Sequence, residues 1–134
     1  MHSASPALHV TGLTKRYGSL EMGLLAVDHI DFEVHRGEVY GFLGPNGAGK
    51  TTTIRMCTGI TQPNSGRVAI SGFDLMTDPI RAKERIGVVS DVAGLYTEMS
   101  AWDNLRFFGG LHDLPSAKVT TRAWHLLRLF GLYN

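Results

Sequence analysis

Residues 44–52 read Gly44-Pro45-Asn46-Gly47-Ala48-Gly49-Lys50-Thr51-Thr52, the spacing G-x-x-x-x-G-K-[ST]. Residues of these types at this spacing suit the capture of a polyphosphate. Several negative charges in a small volume are held by main-chain N–H groups curled around them, and a Cβ would block that approach, which is why glycines recur. Lys50 adds a mobile cation, and the Thr51 hydroxyl is placed to ligate a divalent metal. The turn is expected to open a helix whose first N–H groups face the phosphates.

The flanking elements are those such a loop requires. Glu38-Val39-Tyr40-Gly41-Phe42-Leu43 is an apolar run of strand length leading into the loop. Lys50 to Thr58 contains neither Pro nor Gly and closes on Gly59, a natural end for a helix. Strand, glycine loop and helix form the arrangement in which the motif works.

Upstream, Leu8 to Leu13 alternates, and Ile30-Asp31-Phe32-Glu33-Val34 alternates with its apolar residues at 30, 32 and 34. His35 to Glu38 reads as a tight turn, so the first third is expected to be antiparallel β-structure. Downstream, Pro63 to Gly66 is a turn, Arg67 to Ile70 a short strand ended by Ser71-Gly72, and Asp78-Pro79 the start of a helix running to about Arg85. Ile86 to Val89 reads as a buried strand. Ser100 to Asp103 forms a capping box for a helix that Gly109-Gly110 is expected to end, with Trp102, Leu105 and Phe108 on one face. A second helix starts near Ser116. Its stripe of Val119, Ala123, Leu126, Leu127 and Phe130 opposes Lys118, Arg122 and His125, and Gly131 caps it.

A chain of 134 residues suffices for one small domain. The net charge of +1 gives no reason to expect a nucleic-acid partner. Cys57 is the one cysteine, so no internal disulfide forms, and a buried structural thiol in a reducing compartment is expected. No apolar stretch reaches membrane-spanning length, and Met1 to Val10 lacks the pattern of a secretory signal. His9, His29 and His35 fall in the β-rich third, His125 on a polar helix face, and His2 and His112 in tail and loop, so all six are read as structural or solvated.

The run Gly37 to Ile54, the Gly59…Pro63-Asn64-Ser65-Gly66 spacing and Ser71-Gly72-Phe73-Asp74 closely resemble the ATP-binding subunits of ABC transporters. The Pro45-Asn46 pair is typical of that family, and the resemblance extends from Leu8 to about Leu132. It implies an α/β fold: a partial P-loop NTPase core with an antiparallel β subdomain at the N-terminus and the start of a helical subdomain at the C-terminus. The expected organisation is a single incomplete nucleotide-binding domain over 1–134, with a β-rich core over about 8–90 and the helical part over about 91–134.

The cofactors implied are ATP and Mg2+, on Gly44, Pro45, Asn46, Gly47, Ala48, Gly49, Lys50, Thr51 and Thr52. Lys15-Arg16-Tyr17-Gly18 is similar to the family's segment whose aromatic ring stacks on adenine, which nominates Tyr17 over the plainer reading of a surface ring near a strand end. Ile86 to Asp91 is similar to the segment that normally ends in the Q-loop glutamine. This chain departs from that pattern with Asp91, assigned with Thr51 to the metal, against the plain reading of a loop aspartate. Gly94 to Leu105 resembles the start of the helical subdomain, and Gly94-Leu95-Tyr96 the exporter-like branch.

The partners implied are a membrane-spanning permease subunit and a second ATP-binding subunit, identical or not, at the cytoplasmic face of the cell membrane. The family's signature loop, its Walker B Asp-Glu strand and its switch histidine are not found in residues 1–134. Hence no catalytic residue is assigned, hydrolysis by these residues alone is not expected, and strand 39–43 is expected to be short of a neighbour. The alternatives are a nucleotide-binding module without turnover, a non-transport ABC ATPase, or a small kinase or GTPase. Against the last, Ser90 interrupts the apolar run before Asp91 and no N-K-x-D motif occurs.

Overall fold

The computed structural model describes residues 5–19, 22–89 and 94–132, in two compact units, Met1–Val88 and Val89–Asn134. In the first unit, β1 (Leu8–Tyr17) lies between β2 (Leu24–Val34) and β3 (Ser65–Ile70), and β4 (Phe73–Asp74) pairs with β3. Every pairing is antiparallel. Both long strands outrun the apolar alternation that announced them.

Bulges explain how one face of β1 stays buried. Val10 and Leu13 are both buried although they are an odd number of residues apart, which strict alternation forbids. The register shift between them inserts the extra residue at Gly12, whose N–H donates to Asp31 Oδ1 at 2.8 Å. Further shifts fall opposite Thr14 and Lys15, where the His29 N–H donates to Thr14 Oγ1 at 3.1 Å. From Leu13 onward β1 keeps its own alternation, so Lys15 and Tyr17 stand on the side of Leu13.

α1 (Lys50–Cys57) lays Thr53, Met56 and Cys57 on this sheet. Met56 and Cys57 join Val10, Leu13, Val27, Val68, Ile70, Leu75 and Ala82 in one core. A side chain such as Met56, fully buried here, contributes about 1.5–3 kcal/mol. Gly59, with φ +70, closes the helix as its N–H donates to Met56 O. The turn after it is tied to β1: the Asn64 N–H donates to Thr14 O at 2.9 Å, and Asn64 Oδ1 accepts from the Arg16 N–H at 2.7 Å. α2 (Pro79–Lys83) is shorter than expected, and Asp78 precedes it without a side-chain cap bond.

Two expected strands are absent. Residues 39–43 and 86–89 have no ladder partner among the described residues, and a strand exists only through a neighbour's N–H and C=O groups. The 39–43 segment nevertheless keeps a period of two. Tyr40 and Phe42 pack on Phe32 with ring centres 5.3 and 5.2 Å away, while Val39 and Leu43 are 98% and 95% exposed.

In the second unit, α3 (Ala101–Leu111) packs against α4 (Ser116–Leu129). The N-cap half of the expected capping box is present, since Ser100 Oγ accepts from the Asp103 N–H at 3.1 Å, while the Asp103 carboxylate accepts from the Ser100 hydroxyl at 2.6 Å. α3 does not stop at Gly109-Gly110 but runs through both. A Cβ at Gly109 would lie 2.8 Å from a Val119 methyl, so this glycine serves the contact between helices rather than an end. Pro115, not Ser116, occupies the N-cap of α4. Val119, Ala123 and Leu127 are buried, whereas Phe130 of the expected stripe is exposed. Asn104 is buried and fully engaged: its Oδ1 accepts from the Tyr96 N–H, and its Nδ2 donates to the carbonyls of Tyr96, Met99 and Ser100 at 3.0–3.2 Å.

Candidate functional site

The glycine loop is poised over the sheet by α1. Gly49 precedes the helix with φ +81, a left-handed conformation that a side chain strains. A Cβ there would lie 2.3 Å from Ala26 O and 3.1 Å from Val27 Cγ2. The loop therefore touches β2 main chain to main chain, and only glycine permits this. The first N–H groups of α1 lack partners within the helix, its first turn carries no acid, and Arg55 lies in its last turn. All three features favour an anion at the start of the helix.

Lys50 curls back across the loop. Its Nζ donates to Gly44 O at 2.5 Å and Pro45 O at 2.6 Å. The ammonium is thereby held within the loop's own curve. Thr53 Oγ1 donates to Gly49 O at 3.0 Å, and the Thr53 N–H reaches the same oxygen at 2.8 Å, stiffening the first turn.

A cleft of about 330 Å³ opens at this point, lined by Asn46 to Thr52 of the loop and helix and by Tyr17, Leu24 and Ala26 of β1 and β2. Its size is at the lower end for small-molecule sites. The structure thus brings together Tyr17 and most of the loop nominated from sequence. Gly44 and Pro45 are not part of the lining; they hold Lys50 by their carbonyls. Asp91 lies outside the described residues. Leu24 and Ala26 had no signal of their own. Leu24 enters because β1 and β2 pair Tyr17 with Leu24, a register that the bulges hide from inspection of the sequence.

The donor set fits a nucleoside polyphosphate with a divalent ion: main-chain N–H groups and a lysine for phosphate, threonine hydroxyls for the metal, an aromatic ring and aliphatic side chains for a base. No carboxylate lines the cleft among the described residues, and no cluster of metal-binding side chains occurs among them. The smaller apolar hollow of the second unit, about 240 Å³ and lined by Leu105, Phe108, Leu126 and Phe130 among others, has hardly any polar surface. It offers nothing to hold an anion.

A family model described as ABC transporter matches residues 27–134. Daunorubicin resistance ATP-binding protein DrrA3 of Streptomyces coeruleorubidus is 40% identical over 129 residues, covering 96% of this chain and 40% of that protein. Nod factor export ATP-binding protein I of Ralstonia nicotianae is 41% identical over 129 residues, 96% of this chain and 39% of its own length. ABC transporter ATP-binding protein NatA of Bacillus subtilis is 36% identical over 124 residues, 92% and 50% of the two chains. The chain therefore spans half or less of the length of each of these relatives. Among solved structures, an ATP-binding subunit of an ABC transporter superposes with a TM-score of 0.75 at 30% identity, over 94% of this chain and 51% of that one. The cbiO1 protein of Clostridium perfringens, part of the transporter complex cbiONQ, gives 0.75 at 27% identity, over 96% and 51%. Their α/β class is the one read from the sequence.

Proposed function

This chain belongs to the ABC transporter family, and from that premise we propose that its cleft binds ATP with Mg2+ on behalf of a transporter's energy-coupling subunit. The observation that carries this reading is that Tyr17 and residues 46–52 line one cleft together. The loop amides and Lys50 would take the β- and γ-phosphates, with Gly44 and Pro45 shaping the loop. Thr51 would ligand the metal, joined by Asp91, a hard oxygen donor. The Tyr17 ring would stack on adenine, which needs no reading of the base's edge.

Binding, rather than turnover, is the task assigned to these residues. Hydrolysis needs a group that positions the attacking water, and no carboxylate among the described residues lines the cleft. Turnover, a second ATP-binding subunit and a membrane-spanning permease are proposed for the whole protein, at the cytoplasmic face of a membrane. In keeping with a peripheral role, no helix among the described residues is long and apolar enough to cross a bilayer. Relatives named for unlike cargoes, daunorubicin and a Nod factor, match at nearly equal identity, which supports cargo choice residing outside this segment.

The test is a calorimetric titration with Mg-ATP of the protein and of Lys50→Ala. Loss of two charge-assisted bonds at about 1.5–3 kcal/mol each predicts at least ~100-fold weaker binding by the variant. Equal affinities would remove the reading.

A further inference from the structure

We propose that Lys15 is a positioning residue that holds the Tyr17 ring ready for a base, an inference that rests on the nucleotide reading above. Lys15 and Tyr17 are two residues apart on β1 and share one side of the strand. The Lys15 ammonium stands 5.3 Å from the centre of the Tyr17 ring, within the range of a cation–π contact. The same Nζ donates to Gln62 O at 2.7 Å.

This second bond distinguishes Lys15 from an incidental surface cation. Gln62 lies in the turn that leaves α1, and two residues later Asn64 fastens that turn to β1 through Thr14 O and the Arg16 N–H. The ammonium is thus fixed at one end by a carbonyl whose position is set by the helix bearing the phosphate loop. At the other end it meets the ring. Tyr17 is 42% exposed, and an exposed aromatic at a strand end would otherwise exchange among rotamers.

Tyr17 lines the cleft and Lys15 does not. The cation therefore covers one face of the ring and leaves the other to the cleft. Ordering the ring before a base arrives lowers the cost of stacking. The consequence is selective. Lys15 should matter to ligands that carry a base, equally for adenine and guanine because stacking ignores base edges, and not to a bare triphosphate.

The experiment is a set of titrations on the full protein with ATP, GTP and inorganic triphosphate. The variants are Lys15→Met, which keeps the aliphatic stem, Lys15→Arg, which keeps the cation, and Tyr17→Ala. Lys15→Met is expected to weaken ATP and GTP alike by roughly two- to fivefold and to leave triphosphate unchanged. Lys15→Arg should restore the nucleotides, and Lys15→Met should have no effect in the Tyr17→Ala background. A loss shared by triphosphate, or one that persists without the ring, would overturn the proposal, because Lys15 would then act on phosphates or on folding. A wild-type protein that binds triphosphate but gains nothing from the base would overturn it too while sparing the phosphate loop. Failure of the wild type to bind any of the three would sink the nucleotide reading itself.

Discussion

Replacing Gly49 by alanine tests whether the phosphate loop owes its shape to contact with β2. The added Cβ would meet Ala26 O at 2.3 Å, against an ordinary limit near 3.4 Å. Ala26 sits at the β2 bulge between the paired Leu25 and Val27, and a main-chain carbonyl held between paired neighbours gives way less readily than a side-chain tip, so loop and strand must part by about 1 Å, a shift that degrades pre-aimed hydrogen bonds. Gly49 introduces the helix whose first amides face the cleft. Losing one or two anion bonds at about 1.5–3 kcal/mol each, plus about 1–2 kcal/mol for alanine at positive φ, predicts ATP binding weaker by at least ~70-fold. Gly47→Ala separates the two contributions. Gly47 also has positive φ, +84, but a Cβ there meets nothing within 4 Å, so only the backbone term remains, about 5- to 30-fold. Equilibrium binding of a fluorescent ATP analogue, with circular dichroism to verify folding, measures both. Affinity in Gly49→Ala equal to or above that of Gly47→Ala would refute the argument that Ala26 O sets the loop.

Two further perturbations read the cores of the two units. Burial pushes the Cys57 thiol up from 9.0 to about 11, so native protein at pH 8 should resist thiol reagents until denaturant is added; rapid native labelling would contradict its placement. The unfolded chain loses this proton near pH 9 while the native one keeps it, so stability falls as pH rises from about 9 to 11, by roughly 2–3 kcal/mol, and the decline should shrink in Cys57→Ala denaturation curves. In the second unit, Asn104→Ala strands the Tyr96 N–H and should cost about 2–3 kcal/mol. Tryptophan fluorescence follows it directly, since both tryptophans, Trp102 and Trp124, lie in this unit; an unchanged denaturation midpoint would show that the asparagine's bonds are dispensable.

The phosphate loop was legible because its residues are local, consecutive and chemically constrained. The same holds for the helix after it and for the Ser100 cap, where a short segment determines its own geometry. What depended on partners was not legible. Residues 39–43 and 86–89 have strand-like composition, yet a strand requires a ladder that no described residue supplies. The ends of β1 and β2 were missed because Thr14-Lys15-Arg16 and Asp28-His29 are polar and bulged, which breaks the alternation that marks a strand. Gly109-Gly110 looked like a helix end, since glycine is a poor helix former; the contact with Val119 that places it in mid-helix is tertiary. Asn104 gave no signal because its worth lies in four hydrogen bonds from α3 to the 96–100 segment.

The two halves of the cleft are not independent sites that happen to meet. Tyr17 is placed by β1 beyond Leu13, and the loop is placed by α1 through Met56. Leu13 and Met56 are both fully buried in one cluster with Val27, and Val27 is the neighbour that Gly49 approaches. The spacing from ring to phosphate loop is therefore a property of this sheet-to-helix packing, and interiors packed at near-crystalline density transmit small volume changes. Trimming Leu13 would alter the nucleotide site without touching a ligand. Trimming Leu24, which borders the same cleft but is mostly exposed, would remove a contact and leave that spacing intact. The cleft belongs to the core before it belongs to the motif: nine consecutive residues suggest the chemistry, but the bulged hairpin that carries Tyr17, Leu24 and Ala26 sets the rest of the lining.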